Sequence, residues 1–214
     1  MSSFELIWGV FIDPEGDGSL VPDEARREVL IRLPGTPHIM SAEIGKSNAP
    51  RTAIPIRGDF EAKVRVTGTN DVGGHATTGD FPPYHGGGLI IHRDGANYLR
   101  LEIATDIHKG KHRHYSNFEY WRAGDLVFSR GVAAPTGTAT LRIVRRGNEI
   151  TAEFSPDGRR RHVFPILTAP LGEEVEVGLV AINSASKPLE LRYSGLLIRP
   201  LEPAADIPPP AAPR

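Results

Sequence analysis

The sequence predicts an all-β protein, a two-sheet antiparallel β-sandwich, on three observations. Short runs alternate apolar and polar residues with period two. Gly, Pro, Asn or Asp interrupts nearly every segment, with 23 glycines and 19 prolines among 214 residues. No stretch holds a helical apolar period for three turns. Alternation bounded by turn residues marks half-buried strands, and about ten of them without interleaved helices favour packed antiparallel sheets over a parallel one.

Taken in chain order, Leu6–Ile12 and Glu28–Leu33 read as strands flanking an acidic, glycine-containing loop. Pro22–Arg27 offers a short helix or a turn. In Asp59–Val66, Phe60, Ala62, Val64 and Val66 share one face and charges occupy the other. Tyr98–Ile103 turns Leu99, Leu101 and Ile103 inward and Tyr98, Arg100 and Glu102 outward, because successive strand residues point to opposite faces. Gly88–His92, His114–Tyr120, Asp125–Arg130, Ala139–Arg145, Glu149–Phe154, Glu174–Ile182 and Leu189–Ile198 complete the set. Arg93–Asn97 and Arg146–Asn148 read as hairpin loops and Ser155–Gly158 as a type I turn. The expected core comprises Phe60, Val64, Leu99, Leu101, Ile103, Leu141, Ile143, Val177, Leu179 and Leu197. Residues 1–200 are expected to form one domain, and 201–214 a Pro-rich tail or linker with little to bury.

Composition excludes several function classes. A net charge of -1 gives no field that would draw nucleic acid or an anionic membrane. The absence of cysteine removes disulfides, thiolate zinc sites and cysteine nucleophiles together. The first apolar run lacks a basic flank and is broken at Asp13, so it reads as neither signal peptide nor membrane span, and a cytoplasmic location is expected.

Motifs for catalysis are missing. Retaining glycosidases need two carboxylates about 5–5.5 Å apart, which on a strand takes the form Glu-x-Asp-x-Glu. The approximations here, Glu174-Val-Glu176 and Asp59-Phe-Glu61, read as solvated strand faces, and nothing singles out a pair such as Glu102 with Glu119. Asp13, Glu15, Asp17, Gly18 and Glu24 fall close to the EF-hand calcium spacing, but Glu15 is long for its position and both flanks read as strands. An acidic β-loop is the expectation, with calcium binding as the alternative and no other cofactor. Six of the eight histidines lie between His75 and His114 without a completing carboxylate, so no metal site is assigned and a mobile polar loop is expected. The basic stretch Lys109–Arg113 is too short to indicate nucleic acid; Gly73–Gly88 reads as a long flexible loop of the kind that rims a binding face, or its glycine run serves only to let the chain enter a crowded strand.

The order of Gly58–Phe60, the hairpin Gly87–Glu102, Leu141–Gly147, Ile150–Gly158, Val177–Ala181 and Arg192–Ile198 carries a resemblance. So does the upstream segment Pro34–His38, Ser41–Glu43 and Asn48–Arg51. Over roughly residues 8–199 the chain resembles the "regulation of enolase protein"-like family of the concanavalin A-like lectin/glucanase superfamily. It is also similar to the non-catalytic C-terminal sandwich of some β-xylosidases. The resemblance implies a jelly roll with one concave sheet and fixes no activity.

The sequence therefore favours a non-catalytic domain that recognises a carbohydrate or glycan-like ligand on the concave sheet. Tyr98, Arg100 and Glu102, with His92 from the preceding strand, are the expected ligand-binding residues, and Tyr84, Tyr120 and Trp121 the expected rim. A protein-interaction or scaffolding module and a divergent glycoside hydrolase are the alternatives. Partners are accordingly a carbohydrate or a protein, without nucleic acid or membrane.

Overall fold

The computed structural model describes residues 8–79 and 81–202. Its elements are all strands: β1 (Val10–Ile12), β2 (Ser19–Asp23), β3 (Glu28–Leu33), β4 (Met40–Ser41), β5 (Lys46–Ser47) and β6 (Arg51–Arg57). There follow β7 (Phe60–Thr67), β8 (Tyr84–Asp94), β9 (Asn97–His108), β10 (Lys111–Arg122), β11 (Asp125–Ala133) and β12 (Thr138–Arg146). The last are β13 (Glu149–Ser155), β14 (His162–Val163), β15 (Leu167–Thr168), β16 (Glu174–Asn183) and β17 (Leu189–Pro200). Residues Leu6, Ile7 and 203–214, part of the first expected strand and most of the expected tail, lie outside the described residues.

Two antiparallel sheets stack face to face. One has seven strands in the order β1-β6-β16-β8-β9-β10-β11. The other has eight, running β14-β13-β12-β7-β17-β3-β2 with β15 also on β13. A small β4–β5 hairpin stands apart from both. Two-residue loops shape the central meander of the first sheet. Lys109 and Gly110 both have positive φ, as do Ala123 and Gly124, the backbone that matches a tight hairpin to strand twist. His108, His112 and His114 therefore sit on a regular hairpin and not on a mobile loop.

Nine of the ten expected core residues are fully buried. They interdigitate from both inner faces, with Phe60, Val64, Leu141 and Ile143 opposing Leu99, Leu101, Ile103, Val177 and Leu179. Leu197 is the exception, at 39% exposure. The register of β17 against β7 shifts between Ser194 and Leu197, and Gly195 takes a positive φ there. One extra residue reverses which side chains face inward, so Leu189, Leu191 and Tyr193 are core while Leu197 faces out. Pro22–Arg27 is not a helix. Pro22 belongs to β2, an edge strand where a missing N–H is tolerated, and Arg27 turns the chain with a φ of 55°.

Candidate functional site

Register places the expected polar residues on the face of the seven-stranded sheet that points away from the core. Along β9 and β10 the cross-strand partners on this face are Tyr98 with Trp121, Arg100 with Glu119, Glu102 with Asn117, Ala104 with Tyr115 and Asp106 with Arg113. On β8 the same face carries Tyr84, Gly86, Gly88 and Ile90. The glycines are required by close approach: a Cβ at Gly88 would strike the Leu101 carbonyl oxygen, and one at Gly86 would strike the Tyr84 hydroxyl and ring edge. The missing side chain at Gly86 leaves room for Tyr84 to lie back over the sheet.

This face is covered, contrary to the expectation that it would meet solvent. The β4–β5 hairpin caps it, and Met40, Ala49, Ile90, Tyr98, Trp121, Val180 and Ile182 form a second apolar cluster beneath the cap. Tyr98 is fully buried, stacks on Trp121 with centroids 5.8 Å apart, and its hydroxyl donates to the Met40 carbonyl at 3.2 Å. Beside this cluster opens a cavity of about 370 Å³. Arg100, Glu102, Asn117, Glu119 and Trp121 form its floor. Ile39, Met40, Ser41, Glu43 and Ile44 line it from the adjoining hairpin, and Thr78, Phe81 and Pro82 from a loop.

Arg100 organises the floor. Its Nη1 donates to the Met40 carbonyl at 3.0 Å and its Nη2 to Glu119 Oε2 at 2.7 Å, while its Nε lies 3.3 Å from Glu102 Oε2. Burial works against its charge, but Glu102 and Glu119 beside it hold its pKa above the usual arginine value. Glu119 also accepts from Asn117 Nδ2 at 2.6 Å and from the Trp121 indole at 3.2 Å. Its oxygens are thus committed to three protein donors, an arrangement that positions a carboxylate and leaves it a poor nucleophile. Glu102 is different. It is 1% exposed, neither oxygen meets a protein donor in hydrogen-bond geometry, and burial pushes its pKa up to about 7, with Arg100 opposing and Glu119 reinforcing.

Of the expected site residues, Tyr84, Arg100, Glu102 and Trp121 line the cavity, and Tyr98 supports Trp121 without lining it. Tyr120 faces the core, because it is the register partner of Leu99. His92 is buried outside the cavity, with Nδ1 3.3 Å from Glu176 on β16; burial lowers its pKa, Arg51 adds to that, and Glu176 opposes it. Asn117, Glu119 and Tyr115 were legible as alternate residues back from Trp121, whereas no alternation announces Met40 or Phe81. The other carboxylate pairs have structural partners, Glu61 with Arg142 and Arg199, and Glu174 and Glu173 with Arg57.

The acidic loop does not close as an EF-hand, since β2 separates Glu24 from Asp13–Gly18. Asp13 accepts from the Gly18 N–H at 2.7 Å, Glu15 from Asn48 at 2.8 Å, and Asp17 contacts buried His38 at 2.7 Å. The ligand atoms of Asp13, Asp17 and His38 lie within 4.8 Å of one another, the one group of that kind among the described residues. His112 and His114 instead contact the Val72 carbonyl and the Thr105 hydroxyl. No described helix is long and apolar enough to cross a membrane.

Comparison with solved structures shows the fold in proteins of low sequence identity. A functionally unknown protein from Saccharomyces cerevisiae superposes with a TM-score of 0.70 at 14% identity, covering 92% of this chain and 98% of that one. The GH43 protein BlXynB from Bacillus licheniformis gives 0.61 at 13% identity over 89% of this chain, which spans 36% of that protein. An alginate lyase from Klebsiella pneumoniae gives 0.53 at 9% identity, over 85% of this chain and 84% of that one. The shared architecture is a two-sheet antiparallel jelly-roll sandwich. No curated protein sequence matches the chain. A family model described as "Protein of unknown function (DUF1349)" matches residues 40–201, and the chain belongs to that family.

Proposed function

We propose that the cavity on the seven-stranded sheet binds a hydroxyl-rich, carbohydrate-like ligand without transforming it. The observation that carries this reading is the composition of one cavity wall. Aromatic surface from Trp121, Tyr84 and Tyr115 lies beside planar polar groups from Arg100, Glu102 and Asn117. Sugars offer C–H faces to the first kind of group and paired hydroxyls to the second. The cavity volume falls within the range that holds a small ligand. The alginate lyase and the xylan β-1,4-xylosidase with a TM-score of 0.53 are named for glycans, which supports the same class of ligand here. The commitment of Glu119 to three donors favours binding over hydrolysis.

The test is a glycan array followed by calorimetry on each hit, with Tyr115→Ala and Phe81→Ala as variants. Both residues line the cavity while remaining outside the buried core, so their truncation spares the fold. Loss of about fivefold in affinity is expected from each. A silent array, or affinity unchanged in both variants, would move the assignment to protein interaction, for which exposed Leu126 and Val127 on edge strand β11 provide a surface.

A further inference from the structure

The lining of the cavity is unequally charged. It contains four carboxylates, Glu43, Glu102, Asp106 and Glu119, against two guanidinium groups, Arg100 and Arg113. Both arginines are already engaged, Arg113 with Asp106 through Nε at 3.0 Å and Arg100 with Glu119 and the Met40 carbonyl. Glu102 then shares Arg100 with Glu119, its Oε2 lying 3.3 Å from the Arg100 Nε, and Glu43 stands exposed at the edge. The surplus is acidic.

Glu102 also has bonding capacity that good hydrogen-bond geometry does not meet, as does the Arg100 Nε beside it. Both Glu102 oxygens and the Tyr84 hydroxyl are buried polar atoms that no protein group meets in good hydrogen-bond geometry, although Tyr84, Asn117 and Arg100 stand beside the carboxylate. Glu102 and Tyr84 both line the cavity. A buried carboxylate deprived of donors is costly, and a ligand that brings donors relieves that cost. A primary ammonium carries three N–H donors and no acceptor, which suits two carboxylate oxygens and a phenolic oxygen. The faces of Trp121, Tyr84 and Tyr115 add surfaces that attract a cation. A carboxylate or sulfate on the ligand would instead confront Glu102 with like charge.

From this juxtaposition we infer that the cavity selects sugars bearing a free amine, typified by 2-amino-2-deoxyhexose units, and rejects uronic acids. The inference rests on the carbohydrate reading above and names the class of sugar. Glu102 is the residue that discriminates, and Tyr84 assists it.

The experiment is calorimetry with glucosamine, glucose, N-acetylglucosamine and glucuronic acid, which share a ring and differ in one substituent, plus ethanolamine as an amine without a ring. Each is titrated into the wild-type chain, Glu102→Gln and Tyr84→Phe, with a thermal melt of each protein as the folding control. Glucosamine is expected to bind about tenfold or more tightly than glucose and N-acetylglucosamine, with glucuronic acid weakest. Glu102→Gln should bring the glucosamine-to-glucose ratio close to one, and Tyr84→Phe should reduce it by about threefold. Equal binding of the amino, neutral and acetylated sugars would overturn the inference and leave the carbohydrate reading standing. Ethanolamine binding as tightly as glucosamine, dependent on Glu102, would uphold the amine site and sink the carbohydrate reading. A preference that survives Glu102→Gln would overturn the assignment to this residue, and failure of all five ligands would overturn both. If Glu102→Gln does not fold, Tyr84→Phe decides alone: an unchanged ratio there counts against the inference.

Discussion

Replacing Glu102 with Gln should change how stability depends on pH. Burial raises the pKa of this carboxyl from 4.5 to about 7 in the folded chain, and the unfolded chain returns it to the ordinary value. Between those two values the folded protein holds the proton more tightly than the unfolded one, so stability falls as pH rises. Below the unfolded value the group is protonated in both states and costs nothing; above about 7 it is charged in both, and the full penalty is present. The difference corresponds to about 3 kcal/mol, of which about 2–3 kcal/mol develops between pH 5 and pH 8. Glutamine keeps the shape and cannot ionise, so Glu102→Gln should be the more stable protein at pH 8 and nearly equal to wild type at pH 5. For a chain of this length the gap at pH 8 corresponds to about 5–10 °C in Tm. Other carboxylates, such as Glu61 held low by Arg142, contribute equally to both proteins and cancel in the comparison. Thermal melts across this pH range provide the assay. Parallel Tm curves for the two proteins would refute the reasoning, because they would mean that Glu102 ionises as freely in the folded chain as in the unfolded one.

The remaining predictions concern the frame around the cavity. Leu101→Ala should lower stability by about 2–5 kcal/mol in urea denaturation, as for a fully buried leucine between two sheets. Gly88→Ala should cost about 3 kcal/mol or fail to fold, because its methyl group would meet the backbone of Leu101 and not a flexible side chain. Thermal melts in chelator and in millimolar calcium should coincide: Glu15 and Asp17 are engaged by Asn48, Thr36 and His38, and Glu24 lies about 17 Å along the chain from Ser19. A rise of several degrees with calcium, lost in Asp13→Ala with Asp17→Ala, would show instead that the loop binds the ion.

Much of the sandwich was legible because period-two alternation reports directly which side chains share a face. Phe60, Val64, Leu99 and Leu141 needed nothing more. Alternation does not report what covers the opposite face, so Tyr98, Arg100 and Glu102 read as solvent-facing. Their cover comes from Ile39–Ile44, a short segment with no periodic pattern and more than fifty residues away along the chain. Leu197 was misplaced for a related reason: a bulge at Gly195 breaks the phase of the strand, and an isolated glycine in an apolar run does not announce the direction of the shift. The candidate site was half legible. Tyr84, Arg100, Glu102 and Trp121 are its residues, but the pairing of Arg100 with Glu119 depends on the hairpin register set at Lys109-Gly110. The convergence of His38 with Asp13 and Asp17 depends on tertiary contact alone, which spacing cannot convey.

On the proposed function, a sugar occupies the cavity above Trp121. The chain contains two tryptophans, so its indole N–H region in a nitrogen–proton correlation spectrum should hold two resonances. Trp121 lines the cavity with its indole donating to Glu119, whereas Trp8 is buried in the core between the sheets. Titration with the best ligand from the array should shift the Trp121 indole resonance in a saturable manner and leave that of Trp8 in place. A ligand that binds by calorimetry yet leaves Trp121 unmoved, or moves Trp8 alone, would contradict the account.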